Sequence, residues 1–301
     1  MRYDKLAYHF ERLGLEVEVD APMAQFTSFQ IGGPADLLVT AKGPNDIAEV
    51  FNECYNQKIP VLLMGNGTNM LVSDKGVDGM VVRMTKCDSP VIENDTVMCP
   101  AGVSLKKLCT FTRDAGLSGL EFAYGIPGSV GGAVHMNAGA YCGQISDVFQ
   151  WADVLFPDGR ISRIEADRSE FGYRHSIFMK NGGMILSAGF RLLPDSPDEI
   201  GLRMDEYLNR RRKSQPLNYP SAGSFFKRPT GHYAGALIEQ CGLKGFGVGA
   251  ARISSKHAGF VVNCGGASCS DVLALVDIVT ERVLSDCGVK LEPEVRYIGR
   301  F

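Results

Sequence analysis

The chain has 301 residues, 45 % hydrophobic and 22 % charged, with 31 basic against 34 acidic side chains for a net charge of −3. Such a composition belongs to a folded globular protein with apolar material for more than one core, and the length predicts about two domains. The near balance of charge excludes a global basic field of the kind that draws nucleic acid or an anionic membrane, although Arg210 to Lys213 forms a local basic run.

The N-terminal segment MRYDKLAYHFERLG is amphipathic and charged throughout, which predicts a helix over residues 1–16 and argues against a signal peptide. No run reaches the ~18 apolar residues of a membrane span, so a cytoplasmic protein is expected. Phe26 to Ala41 reads as two strands around a Gly-Gly-Pro turn. A helix follows Asn45, with Ile47, Val50, Phe51, Cys54 and Tyr55 at helical spacing. IPVLLMG then reads as a short buried strand leading into GNGTNM, and VDGMVVRM and DTVMCPAG as further strands. A helix after Ser104 carries Leu105, Leu108 and Cys109 on one side and closes at Gly116.

Beyond the glycine-rich stretch 124–143, two strand-like runs flank Pro157-Asp158-Gly159, a hairpin signal, and GMILSAGFRLL is another strand. Prolines and acids in LPDSPDE mark a domain boundary. Helices are expected at 198–213, 231–241 and 270–287, the last with Val272, Val276, Val279, Val283 and Cys287 on one stripe and a stop at Gly288. VKLEPEVRYIG is expected as a closing strand. Strands mixed with helices, then a helix-richer block, give an α+β fold with at least two domains.

Nine cysteines without a Cys-x-x-Cys, and without partners at zinc-site spacing, read as free thiols in a reducing compartment; no metal is expected.

Two stretches concentrate glycine. GNGTNM (Gly65, Asn66, Gly67, Thr68, Asn69, Met70) follows a strand and can present N–H groups to a phosphate, but matches neither the dinucleotide fingerprint nor a P-loop. YGIPGSVGGAVHMNAGAYCG, 124–143, has six glycines in twenty places. Gly loses more backbone entropy on folding than any other residue, so something must come close to this backbone. Two such loops suit one long, flat, anionic ligand; the alternative is loops packed on themselves.

Three further segments carry candidate chemistry. Ser224, between Gly223 and the Phe225–Phe226 pair, is either reactive or a turn hydroxyl, and the absence of Gly-x-Ser-x-Gly argues against a hydrolase. Arg174, among aromatics, can meet a carboxylate bidentately or lie on the surface. In LEPEVRYIG, alternation places Glu292, Glu294, Arg296 and Ile298 on one face, opposite Leu291, Pro293, Val295 and Tyr297. Glu294 and Arg296 are then neighbours, either functional or an exposed ion pair.

Taken together and in order, TSFQIGGPADLLV, GNGTNMLVSD, YGIPGSVGGAVHMNAGAY, FGYRHSIF, AGSFFKRP, AGALIEQCGLKG, KHAGFVVN and LEPEVR resemble the UDP-N-acetylenolpyruvoylglucosamine reductase family, from Thr27 to Arg296. The resemblance implies a cytoplasmic flavoenzyme of peptidoglycan precursor synthesis, with non-covalent FAD in a vanillyl-alcohol-oxidase-type fold. It implies FAD-binding subdomains at 1–82 with 291–301 and at 83–194, and a smaller substrate-binding domain at 203–290. NADPH would reduce FAD, whose N5 would deliver hydride to C3 of the enolpyruvyl ether, giving UDP-N-acetylmuramate.

By the same resemblance Ser224 donates the proton to C2, Arg174 stabilises the dianionic enolate, and Glu294 assists in its neutral form. The cofactor would lie along Gly65, Asn66, Gly67, Thr68, Asn69, Met70, Tyr124, Gly125, Pro127, Gly128, Ser129, Gly131, Gly132, Ala133, Asn137, Gly139, Ala140 and Tyr141.

From Arg191 to Ser224 is only 33 residues, which resembles the branch of the family without a tyrosine-bearing insertion. The diphosphate contacts are therefore sought among Arg211, Lys213, Lys227, Arg228, Lys256 and His257. Small-molecule substrate and NADPH are the expected partners, with no nucleic acid and no membrane. A monomer is expected, the oligomeric state being left open. An oxygen-using oxidase on the same fold, or a flavin or nucleotide-sugar sensor without catalysis, would share the glycine loops; the serine, arginine and glutamate motifs favour the reductase.

Overall fold

The computed structural model describes residues 3–85 and 87–301. The chain forms two units and passes from one to the other several times. The first comprises residues up to Glu18, Leu37–Asn66 and Gly79–Arg211; the second comprises Val19–Asp36, Gly67–Asp78 and Arg212–Phe301.

The first unit opens with helix Asp4–Arg12, which buries Leu6, Ala7 and Phe10; residues 1–2 of the expected helix lie outside the described residues. Helix Pro44–Asn56 starts where a proline's fixed φ suits the first turn, and buries Ile47, Val50, Phe51 and Cys54. Strand Val61–Met64 runs parallel to the neighbouring strand, pairing Val61 with Met80 and Met64 with Arg83. It is only half-buried except at Met64, less than its apolar run suggests.

The larger sheet of this unit is antiparallel, in the order Ile161–Glu165, Phe149–Leu155, Met184–Arg191, Thr96–Pro100, Val91–Glu93. The expected hairpin is there. Gly159 takes φ +81°, Phe156 N–H donates to the Arg160 carbonyl at 2.9 Å, and Asp158 Oδ1 accepts from Arg160 N–H at 3.0 Å. Helix Leu105–Asp114 is capped by Ser104 Oγ, which accepts from Lys107 N–H at 3.2 Å, and the chain leaves it at Gly116 with φ +68°. Helix Pro197–Ser214 begins in this unit and buries Ile200 and Met204.

The second unit is built on an antiparallel sheet in the order Ser221–Ser224, Phe260–Asn263, Ala251–Ile253, Gly247–Val248. Helices Ala234–Gln240 and Cys269–Cys287 cover it. The long helix buries the expected Val272, Val276, Val279 and Val283, starts in a Ser268–Asp271 capping box and stops at Gly288 in the left-handed region. Phe29, Ile31 and Leu71, far back in the sequence, belong to the same core as Phe225, Phe226 and Val261. Asn263, buried, ties them in: its Nδ2 donates to the Phe29 carbonyl at 3.1 Å while its Oδ1 accepts from Gly265 and Ala267.

Three expectations change. Only Pro34–Ala41 of the Phe26–Ala41 segment is a strand. Gln30 and Gly32 take φ +55° and +142°, and Gly33 packs so closely on the Asp74 carbonyl that no side chain fits; the glycine pair serves a close backbone approach instead of a hairpin. A strand Glu16–Pro22, mostly exposed and rich in acids, precedes it. The closing strand is confined to Arg296–Ile298, parallel to Met70–Val72. Pro293, without an N–H, makes a single bridge to Phe226.

Candidate active site

In the first unit the two glycine segments meet. The position a side chain at Gly65 would occupy is taken by Ser129 Oγ. Ser129 is itself the N-cap of helix Val130–Met136, its Oγ accepting from Gly132 N–H at 3.4 Å. Gly131 packs on Ala101, whose Cβ would lie 2.7 Å from a Cβ at 131, and Gly143 on the Phe122 ring at 2.6 Å. Those glycines answer to the protein's own packing. Gly132 is different: it is exposed, and nothing of the protein lies nearer than 3.5 Å to where its Cβ would stand. A glycine in a helix with room for alanine gives up about 1 kcal/mol. That opening leaves the Gly132 backbone accessible to a flat group such as a flavin ring.

The rest of the stretch is ordered around it. Tyr124 and Gly128 are half-buried, Ala133 is buried and Pro127 is exposed. Gly128 accepts from Leu105 N–H at 2.9 Å. Gly139 and Ala140 pair with Gln144 and Gly143 in a two-stranded ladder. Asn137 takes φ +45°, and its buried side chain is committed to the protein, donating to the Gly172 carbonyl at 3.0 Å and accepting from Ser146 N–H at 2.9 Å.

Arg174 is attached to the same stretch. Its Nη2 donates to the Gly139 carbonyl at 3.1 Å and its Nη1 to the Asn137 carbonyl at 3.5 Å. The adjoining Ser176 Oγ donates to the His135 carbonyl at 2.6 Å. The Arg174 backbone sits at φ +52°, a conformation that L-residues with long side chains rarely adopt.

Helix Pro197–Ser214 lays Tyr207, Leu208 and Arg211 against the glycine stretch. Tyr141 and Tyr207 stack at 4.8 Å with rings 2° from parallel. Arg211 Cδ is 3.2 Å from where a Gly125 Cβ would be. Its Nε is buried without a hydrogen-bond partner, and burial pushes the guanidinium below its ordinary value. The i, i+4 spacing of Tyr207 and Arg211 was readable in the sequence, but nothing there showed which way that face points. Nearby, Glu121 accepts from Ser118 Oγ, Gly119 N–H and Arg203.

The second unit holds Gly67, Thr68, Asn69 and Met70 of the first glycine segment, with Gly67 buried at φ +60°. Ser224 is exposed at the end of its strand, after Gly223 at φ +80° and before the fully buried Phe225. Glu294 N–H donates to the Phe225 carbonyl at 2.8 Å, and Asn69 Nδ2 donates to the Glu294 carbonyl at 3.3 Å. Arg296 N–H in turn reaches the Asn69 carbonyl at 3.1 Å. Backbone bonds thus gather the serine motif, the glutamate motif and Asn69 in one place; Asn69's link to Glu294 carries no sequence signal.

Among the basic candidates of this unit, Lys213 is exposed and Lys227 Nζ lies 3.3 Å from Glu292. Arg228 lies 4.0 Å over the Tyr233 ring. Lys256 Nζ donates to the Arg212 carbonyl at 2.6 Å, near the end of helix Pro197–Ser214. His257 Nδ1 accepts from Gly259 N–H at 3.1 Å, and burial pushes the imidazole below its usual value, favouring the neutral ring.

Residues 35–165 match the pattern of the FAD binding domain, and residues 215–298 that of the UDP-N-acetylenolpyruvoylglucosamine reductase C-terminal domain. The solved alkyldihydroxyacetonephosphate synthase, 14 % identical with a TM-score of 0.50 over 64 % of this chain and 40 % of its own, shares the fold alone. The matched pattern and the shared fold define an α+β, FAD-binding protein with a fold of the vanillyl-alcohol-oxidase type.

Two curated relatives narrow this. The UDP-N-acetylenolpyruvoylglucosamine reductase of Clostridium kluyveri is 44 % identical over 94 % of this chain and 93 % of its own, and that of a Clostridium botulinum strain 43 % identical over the same shares. The crystal structure of the Thermus caldophilus reductase superposes with a TM-score of 0.79 at 36 % identity, covering 94 % of this chain and 98 % of that one. The chain belongs to the UDP-N-acetylenolpyruvoylglucosamine reductase family, flavin oxidoreductases of peptidoglycan precursor synthesis. Among the described residues no helix is long and apolar enough to cross a membrane.

Proposed function

We propose that the chain uses NADPH to reduce the enolpyruvyl ether of UDP-N-acetylglucosamine enolpyruvate to the lactyl ether of UDP-N-acetylmuramate, in the cytoplasm. The observation that carries this reading is the bond from Glu294 N–H to the Phe225 carbonyl, which seats the glutamate turn beside the residue that follows Ser224. FAD, when bound, supplies the hydride relay from nicotinamide to alkene. Gly65, Ser129 and Gly132 are the residues we assign to hold it, with the rest of both glycine segments.

The chain's own groups then handle charge and proton. Reduction at C3 builds negative charge at C2 and in the carboxylate. Arg174, oriented by the Asn137 and Gly139 carbonyls, offers fixed donors to that charge. Glu294 helps only as a neutral carboxyl, since a carboxylate would repel the dianion. Ser224 gives its hydroxyl proton to C2 on one face and sets the stereocentre; against so basic a carbon a well-placed serine suffices once it is reprotonated. Arg211, Lys213, Lys227, Arg228, Lys256 and His257 are the candidates for the diphosphate. We assign cofactor binding to 1–82 with 291–301 and to 83–194, and substrate binding to 203–290. The two matched family patterns, 35–165 and 215–298, fall on either side of the 194–203 boundary.

The test is NADPH consumption by purified protein under low oxygen, with and without UDP-N-acetylglucosamine enolpyruvate. Substrate-dependent consumption matched by UDP-N-acetylmuramate is expected. Bound flavin that ignores this substrate and turns over rapidly with oxygen would replace the reductase with an oxidase.

A further inference from the structure

Two helices of the second unit end in the same way. Helix Ala234–Gln240 has Cys241 as its C-cap and then Gly242 at φ +71°. Helix Cys269–Cys287 ends on Cys287 and then Gly288 at φ +68°. The Sγ atoms of Cys241 and Cys287 lie 3.6 Å apart, and both residues are partly exposed. A disulfide is about 2.05 Å long, so closure asks for roughly 1.6 Å of approach. Closure calls for side-chain rotation at the two helix ends, where each following glycine lies at the exit of its helix.

The surroundings favour a pair that waits for an oxidant. Burial and the facing thiol push Cys241 up to about 11, so it is a thiol at neutral pH. Arg282, whose charge would favour a thiolate, is paired with Asp286 at 2.6 Å. Of the other cysteines, Cys142 and Cys264 are exposed, Cys87 is half-buried, and Cys54, Cys99, Cys109 and Cys269 are buried.

We propose that Cys241 and Cys287 form a reversible dithiol–disulfide pair, closed by hydroperoxides, that staples the ends of the two helices. One sulfur attacks the O–O bond of the hydroperoxide, becoming a sulfenic acid as the alcohol or water leaves. The second thiol attacks that sulfur; the S–S bond forms, the S–O bond breaks, and water departs with the second thiol's proton. The sulfur pair loses two electrons and the hydroperoxide gains them. The bridge closes a span of 46 residues, which restricts the unfolded chain far more than the folded one. This proposal is independent of the reaction the enzyme catalyses.

The holoenzyme is treated with hydrogen peroxide, remaining thiols are alkylated under denaturing conditions, and peptides are read by mass spectrometry. Expected is one cross-linked pair containing Cys241 and Cys287, two hydrogens lighter than the sum of its peptides and split by dithiothreitol. The thermal midpoint should rise by roughly 5–10 °C on oxidation, and neither effect should appear in Cys287→Ala. Alkylation of both cysteines after peroxide in the wild-type protein would overturn the proposal, as would a bridge from either one to a different cysteine.

Discussion

The backbone N–H of Glu294 and the carbonyl of Phe225 are 2.8 Å apart, so the serine and glutamate motifs, 70 residues apart in sequence, share one hydrogen-bonded turn. Ser224→Ala removes the hydroxyl and leaves that bond intact. Flavin reduction by NADPH should proceed almost unchanged, while reoxidation by the enolpyruvyl substrate should slow by about 10²–10⁴-fold, the usual worth of a placed proton donor. Stopped-flow absorbance separates the two half-reactions; equal slowing of both would remove Ser224 from the proton step.

Gly131 and Gly132, adjacent in one short helix, should respond oppositely to alanine. At 131 the new methyl meets Ala101 at 2.7 Å, and stability should fall by about 1–3 kcal/mol. At 132 there is room, so stability should hold or rise by about 1 kcal/mol while flavin affinity falls at least about tenfold. Urea midpoints and flavin-to-protein ratios report the two effects separately.

Glu121 gives a signed pH dependence. Burial alone would raise its carboxyl, but donors from Arg203, Ser118 and Gly119 outweigh that and hold it below the ordinary value. A depressed folded value contributes stability above the unfolded pKa of about 4.3, lost as pH falls through the folded value. Glu121→Gln should therefore cost about 2 kcal/mol at pH 7 and progressively less below pH ~4. Chemical denaturation across that range checks it; a constant difference would mean that packing, not charge, is lost.

Arg211 is a half-buried cation whose buried Nε has no hydrogen-bond partner in the protein. Arg211→Gln should raise KM for the UDP-sugar about tenfold, the scale of one lost charge-assisted hydrogen bond, with KM for NADPH little changed. Steady-state kinetics with each substrate varied in turn tells whether the cation serves the diphosphate.

Helix Cys269–Cys287 was legible because period and stop agree, a valine stripe closed by Gly288. Leu105–Asp114 and the Asp158–Gly159 hairpin were legible on the same grounds. Glu16–Pro22 alternates acidic and apolar residues, but Val17 is only half-buried and Val19 exposed, and the helix expected over 1–16 covered its start. The 26–33 segment misled because Phe29 and Ile31 are buried at alternate positions in a chain that is turning, not extended. The candidate site followed the same divide. Its motifs were readable residue by residue, but the packing of Arg211 on Gly125 and the hold of Asn69 on Glu294 are tertiary facts. Half of the glycine question also had an internal answer, since Gly131 and Gly143 face Ala101 and Phe122.

The interleaving of the two units has a consequence for synthesis on the ribosome. Phe29, Ile31 and Leu71 emerge early, yet their core partners Phe225, Val261 and Val279 lie 154 to 250 residues downstream. Until the last third of the chain is made, those three side chains lack these partners, and the nascent protein carries sticky surface for that interval. Expression of residues 215–298 alone would meet the converse problem, a sheet and two helices with a gap where the early segments belong.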